Sequence, residues 1–239
     1  MRILERLTLD SELHEELRYL HMARYEFACG FVEDRIVLDA ACGTGYGTAM
    51  LAMHGAKEVT GVDRSEEAIA YAREHYHQPG IRFITGDVQN LPYKSDKDIV
   101  VSFETIEHLP APEDFLHCVT TALKPEGVLL ISTPLRLRGR LEDKPSNPFH
   151  YREWDETEFI ELLKSHFHHI DLRYQYNFRK LWYPYSRTIS KTAARLLHPS
   201  EVKDFLLYPV QVARNMLRGI PIVREYVVAV CTEPIKNVS

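Results

Sequence analysis

Two short stretches hold side chains whose types and spacing could do chemistry together. The first is Asp39-Ala40-Ala41-Cys42-Gly43-Thr44-Gly45-Tyr46-Gly47, where a carboxylate precedes glycines at every second position. Glycine tolerates positive φ and lets a ligand lie against bare backbone. A carboxylate ahead of such a turn would repel a pyrophosphate and suits a ligand with a cationic end, such as an amino-acid ammonium. Thr48 also stands where the G-x-G-x-x-G dinucleotide fingerprint wants its third glycine. The second stretch is Glu104-Thr105-Ile106-Glu107-His108. Its i, i+3, i+4 spacing would gather Glu104, Glu107 and His108 on one face of a helical turn. Two carboxylates and an imidazole can hold a divalent cation; oxygen ligands favour magnesium or manganese, and the imidazole would also accept zinc. His108 alone can serve as a general base, because an unperturbed imidazole pKa of about 6.5 leaves much of it neutral at pH 7.

The elements that must position these side chains follow from the pattern around them. Ile36-Val37-Leu38 is an apolar β run that ends in Asp39, and the helix formers from Thr48 to Met53 continue to His54 and stop at Gly55. Strands are predicted at Glu58–Asp63 and Ile81–Thr85, and at Asp98–Phe103, an apolar run typical of a central parallel strand. Helices are predicted at Ser65–Tyr76 and Pro112–Leu123, followed by a turn at Lys124–Gly127 and a strand at Val128–Ser132. A helix at Glu156–Phe167 and strands at His168–Gln175 and Glu225–Glu233 complete the series. A leading helix over residues 10–29 carries a His21, Arg24 and Tyr25 cluster and ends at Gly30. Strands alternating with helices imply a parallel, doubly wound sheet that binds ligands at the carboxyl ends of its strands. Both chemical stretches fall at such ends.

With those placements, the V-L-D-x-A-C-G-T-G stretch resembles the first motif of class I S-adenosylmethionine (SAM) methyltransferases. The resemblance covers about residues 11–175. It implies an α/β fold: a doubly wound, mostly parallel, seven-stranded Rossmann-like sheet. It also implies SAM as cofactor and direct in-line methyl transfer. The implied cofactor contacts are Asp39, Ala41, Gly43, Thr44, Gly45 and Tyr46 in the turn, with Asp63 on the ribose hydroxyls and Arg64 beside it. Asp87 and Val88 would meet the adenine, and Phe103 and Glu104 would lie near the reacting end. Arg24 or Tyr25, on a leading helix closing over the cofactor mouth, would lie near the cofactor carboxylate. Lys97 stands where relatives usually carry an aromatic, at what reads as an exposed strand start.

The E-x-x-E-H pattern is similar to that of ubiquinone-pathway and small-RNA 2′-O-methyltransferases, and the second of these also has a downstream histidine. That implies catalytic Glu104, Glu107 and His108, and a metal set of Glu104, Glu107, His108 and His150 holding magnesium or manganese. S-F-E-T-I-E-H-L together with N-P-F-H-x-R-E resembles bacterial methyltransferases of glycan assembly. Leu135 replaces the asparagine of a common S-T-P-N stretch, which would remove a polar contact near the acceptor.

The 239 residues carry 45% hydrophobic and 26% charged side chains, as in a soluble globular protein. Four dispersed cysteines without a C-x-x-C suggest a reducing, cytoplasmic setting, and neither an export leader nor an apolar run near 18 residues is apparent. The charge is uneven. Residues 176–224 carry net +7 with seven interleaved aromatics, in a chain of net −5 overall. The expected organisation is a leading cap helix at 1–30, a SAM-binding core at 31–175, a helical cap insertion at 176–224, and a last strand and tail at 225–239. The leading functional expectation is O-methylation of a saccharide or other hydroxylated, even phosphorylated, small molecule. Alternatives are a metal-dependent RNA or quinone-precursor O-methyltransferase, and a non-catalytic SAM-binding module. The acidic balance argues against nucleic acid, and the basic insertion allows peripheral contact with an anionic membrane.

Overall fold

The computed structural model describes residues 15–136, 145, 147–177 and 223–236. The expected insertion at 176–224 therefore lies, apart from strand ends, outside the described residues, as do the first residues of the leading segment. Helix α1 (Glu15–Cys29) precedes β1 (Ile36–Ala40), α2 (Tyr46–Met53), β2 (Glu58–Asp63), α3 (Glu66–His75) and β3 (Ile81–Thr85). Then come β4 (Lys97–Phe103), a single 3-10 turn (Ile106–His108), α4 (Pro112–Ala122) and β5 (Leu123–Pro134). Helix α5 (Glu156–Lys164), β6 (Phe167–Asn177) and β7 (Val223–Pro234) follow.

The seven strands form one sheet in the order β3-β2-β1-β4-β5-β7-β6. Pairings from β3 through β5 are parallel, whereas β7 runs antiparallel to both β5 and β6. The order reverses between β1 and β4, the switch point at which an open α/β sheet leaves a crevice at its carboxyl edge. Both chemical stretches leave the sheet there.

Successive strand residues face opposite sides, so each central strand feeds two cores. Leu38, Val100, Leu129 and Ile131 pack with Phe115, Leu116 and Val119 of α4, Phe159 and Leu163 of α5, and Trp154. Val37, Ile99, Val101 and Leu130 pack on the other face with Tyr25 and Ala28 of α1 and Leu51 of α2. Helix α2 packs against both α1 and the sheet, and its Tyr46, Gly47, Thr48, Ala49 and Leu51 are all buried. Among the described residues, no helix is long and apolar enough to cross a membrane.

Four local expectations change. Lys124–Gly127 lies within β5 as a bulge: Lys97 pairs with Leu123, but Ile99 already pairs with Val128. Helix α5 ends at Lys164 because Phe167 is drawn into the core and opens β6. Lys97 is buried, not exposed; its ammonium pairs with Asp96 at 3.2 Å and lies 4.2 Å from the centre of the Tyr93 ring. Leu135 is also buried, bridged to Trp154, so it faces the core and not an acceptor.

Candidate active site

Backbone geometry explains why this turn needs glycines. Gly45 has φ 86°, and a Cβ there would come within 2.6 Å of Ala72 Cβ and 2.8 Å of the Phe83 ring. At Gly47 a Cβ would sit 2.1 Å from the Tyr25 ring, so α1 can seat against α2 only over a bare Cα. Gly43 differs: a Cβ there would meet nothing within 4 Å, which leaves room over the turn for a ligand. Ala41 takes φ 67°, a left-handed conformation unusual for a residue with a side chain and a sign of local strain.

Asp39 lies fully buried beneath this turn, not at its surface. Its carboxylate accepts from Tyr25 Oη at 3.0 Å and from Thr48 Oγ1 at 2.6 Å. Burial raises its pKa to about 6; the Thr48 and Tyr25 hydrogen bonds pull it down, and the charge of Asp63 adds to the rise. Next to it, the Tyr46 hydroxyl bonds His21 Nδ1. Burial, helped by Arg24, lowers the His21 pKa to about 3, so this imidazole stays neutral.

Asp63 closes the next strand tip. One carboxylate oxygen accepts from Gly43 N–H and the other from Ser65 N–H, both at 2.9 Å. Ser65 itself caps α3 by accepting from Ala68 N–H. Asp63, largely buried, thus braces the turn, and a carboxylate can accept about four bonds. Arg64 is exposed beside it, and Thr44 is buried. At the tip of β3, Asp87 is exposed and accepts from Gln89 N–H at 2.9 Å, while the Val88 side chain joins the core.

At the ends of β4 and β5, Phe103 packs edge-on against Tyr25, and Glu104 turns away at φ 53°. This corrects the expected helical turn. Only Ile106–His108 is helical, as one 3-10 turn, so Glu104 does not share a face with Glu107 and His108. Glu104 accepts instead from Ser132 Oγ at 2.8 Å and faces Arg24 at 3.6 Å. Arg24 is buried, stacks 4.5 Å from the Tyr226 ring centre, and has a buried Nε without a hydrogen-bond partner.

Glu107, His108 and His150 do converge, each offering a ligand atom within 4.8 Å of the others. Glu107 accepts from Thr133 Oγ1 at 3.1 Å, while its Oε1 is buried without a hydrogen-bond partner and lies 4.0 Å from His108 Nε2. Burial, reinforced by the charge of Glu104, holds the Glu107 pKa well above the usual carboxylate range. His108 Nδ1 donates to the Phe149 carbonyl at 3.1 Å, which makes Nε2 the proton-accepting nitrogen. His150 lies edge-on to His108 at 4.7 Å, held by Glu153 at Nδ1 (2.9 Å) and by Asn147 at Nε2 (3.0 Å). Its loop is tied down by Tyr151 N–H donating to the Glu107 carbonyl at 2.7 Å.

Sequence reasoning did not single out Ser132, Thr133, Asn147 and Glu153, which hold these groups in place. The available signal was two hydroxyls, an amide and a carboxylate in the stretches 132–134 and 147–153, whose partners spacing alone does not reveal.

Comparisons with known proteins point to methyltransferases. Residues 38–131 match a family model described as a methyltransferase domain. A probable S-adenosylmethionine-dependent methyltransferase of Mycolicibacterium smegmatis is 41% identical over 135 residues, 55% of this chain and 51% of that protein. A ubiquinone biosynthesis O-methyltransferase of an Azoarcus species is 32% identical over 125 residues, 51% of this chain and 52% of that protein. The chain thus spans about half the length of these curated relatives. The fold resembles Haemonchus contortus phosphoethanolamine N-methyltransferase 2 with S-adenosylhomocysteine bound: TM-score 0.63 and 18% identity, covering 92% of this chain and 54% of that one. The match over residues 38–131 marks a methyltransferase domain there, and the sheet order, the glycine turn and the acidic tip of β2 resemble those of S-adenosylmethionine-dependent methyltransferases.

Proposed function

We propose that the chain transfers the methyl group of SAM to a hydroxyl oxygen of a saccharide or another hydroxylated small molecule, with His108 as the base. The observation that carries this reading is the tautomer of His108. With Nδ1–H donating to the Phe149 carbonyl, Nε2 is left as the acceptor at the switch-point crevice. The sulfonium of SAM supplies an already electrophilic methyl group, so the protein need only align the acceptor and take its proton. The hydroxyl proton goes to His108 Nε2 as the oxygen–methyl bond forms and the sulfur–methyl bond breaks, yielding a methyl ether and S-adenosylhomocysteine.

Several features of the chain fit the cofactor. Space lies open over Gly43, the Asp63 carboxylate stands at the tip of β2, and the unpartnered Arg24 Nε suits a carboxylate at the amino-acid end. Oxygen as the acceptor atom draws support from the relatives named as ubiquinone biosynthesis O-methyltransferases. The saccharide reading rests on the glycan-type motifs, and the basic charge of 176–224 favours an anionic acceptor. The test is mass and NMR analysis of products from a panel of phosphorylated and neutral saccharides and phenols. A methyl ether carrying the SAM methyl supports the proposal. Methylation on nitrogen alone contradicts it, and SAM binding without turnover on any acceptor favours the non-catalytic reading.

A second reading adds a divalent cation at Glu107, His108 and His150, favoured by the buried, unpartnered Glu107 Oε1. One carboxylate and two imidazoles suit manganese, iron or zinc better than magnesium. Glu104, bonded to Ser132, stands outside this set. A cation held there would take the Nε2 lone pair of His108 and would itself lower the pKa of the acceptor hydroxyl, so in this reading His108 is a ligand and not the base. If this reading holds, Mn²⁺ titration followed by calorimetry gives binding to the wild-type chain and at least about tenfold weaker binding to Glu107→Gln. Undetectable binding to wild type, with activity that survives exhaustive chelation, removes the cation and leaves His108 as the base.

A further inference from the structure

We infer that Tyr25 is a positioning residue for the cofactor: its hydroxyl holds the Asp39 carboxylate under the glycine turn and so ties the seating of α1 to cofactor binding. The inference rests on reading that turn as the SAM site.

The geometry behind it has three parts. First, Asp39 is fully buried, and its two carboxylate oxygens are held from different elements, one by Tyr25 of α1 and the other by Thr48 of α2. Second, the Tyr25 ring occupies the space that any side chain at position 47 would need, so the helix and the turn meet face to face at this residue. Third, the ring is fixed edge-on between Tyr46 and Phe103, at 5.8 and 5.2 Å, while Arg24, one residue earlier, reaches Glu104 at the end of β4. One helix thus contacts the turn at one end of the crevice and the start of the reacting stretch at the other. The same turn leaves open space at Gly43, where a Cβ would meet nothing within 4 Å.

A buried carboxylate without a cation beside it is costly to ionise, and the two hydroxyl donors only partly offset that cost. A cationic ligand over the turn removes part of the remaining penalty, so ligand and hydroxyl donors favour the same ionised Asp39. Linkage then makes the effect reciprocal: whatever holds Tyr25 on Asp39 tightens the cofactor, and the cofactor holds α1 in place. The other titratable groups around Asp39 are few. Cys42 in the turn and Asp63 at the tip of β2 are nearest, and both are coupled to it electrostatically. Tyr46 and the neutral His21 lie beyond Tyr25, and Arg24 on α1 is engaged with Glu104. The sheet partners of Asp39, Gly61 of β2 and Val101 of β4, carry no charge.

Tyr25→Phe tests this in the full chain, because it removes one hydroxyl and keeps the ring over Gly47. SAM is titrated calorimetrically between pH 5 and 8. Wild-type affinity is expected to rise with pH through about 6, as Asp39 ionises, and then level off. Tyr25→Phe should move the midpoint upward by about one unit and so bind SAM about fivefold more weakly at pH 6 and about tenfold more weakly at pH 5, the size expected for losing one hydrogen bond to a charged group. Thr48→Val, which removes the other donor, should move the midpoint the same way. Hydrogen exchange gives an independent readout: SAM should slow exchange of the α1 amides in wild type and do so less in Tyr25→Phe. A purely structural tyrosine would lower stability at every pH without moving the midpoint. Wild-type binding with a pH profile that Tyr25→Phe reproduces overturns the inference alone. A wild-type chain that binds no SAM at any pH overturns the site reading and the inference with it.

Discussion

His108→Ala is expected to lower turnover by about 10²-fold to 10⁴-fold, the range for removing a general base, while SAM affinity stays within about twofold of wild type. The geometry supports this separation of effects. His108 is anchored from the loop side by the Phe149 carbonyl, and neither the glycine turn nor Asp63 touches it among the described contacts. Glu107 and His150 flank its ring, so removing the imidazole also removes one donor of the candidate cation site. Chelation separates the two roles. If wild-type activity is insensitive to chelators, the loss in His108→Ala measures the base alone. Equal losses of turnover and SAM affinity would instead make His108 a structural side chain.

The second large effect is expected at Asp63. Asp63→Ala should weaken SAM binding by at least about 100-fold, from two ribose bonds worth about 1.5–3 kcal/mol each to a charged acceptor. The same substitution leaves Gly43 N–H and Ser65 N–H without their acceptor, so the turn also loses its brace. Asp63→Asn keeps the volume and one acceptor oxygen and should lose less. Calorimetric titration with SAM and S-adenosylhomocysteine reads both variants, and denaturant unfolding separates turn destabilisation from lost ligand contacts. Unchanged affinity in Asp63→Ala would take Asp63 out of the site.

The frame of the site was legible in the sequence because each strand of the parallel half ends in a chemical change. Val62 gives way to Asp63, Thr85 to Gly86-Asp87, and Phe103 to Glu104, so β2 and β3 fall at their expected bounds and β4 starts one residue early. Gly55, with φ 90°, stops α2 as a C′ glycine should. What spacing could not reveal is which partner a polar group chooses once buried. Glu104 fits a helical i, i+3 pattern with Glu107, but the hydroxyl of Ser132 and the guanidinium of Arg24 draw it into a left-handed conformation outside the 3-10 turn. From its place before a glycine turn, Asp39 reads as a counter-charge for a cationic ligand. Its burial follows from Tyr25, fourteen residues away on another helix, which no local pattern links to it. Lys97 and Leu135 were misplaced for the same reason: Tyr93 with Asp96, and Trp154, supply their surroundings from outside the local pattern.

The most direct measurement is a crystal structure of the full chain grown with S-adenosylhomocysteine. The predicted result puts the ribose hydroxyls on Asp63, the adenine beside Asp87 and Val88, and the amino-acid end over Gly43 toward Arg24. The sulfur would then face the space in front of His108 Nε2, where an acceptor oxygen must stand. Ligand bound away from the glycine turn, or a sulfur that His108 cannot face across an acceptor, would contradict both the site and the proposed transfer.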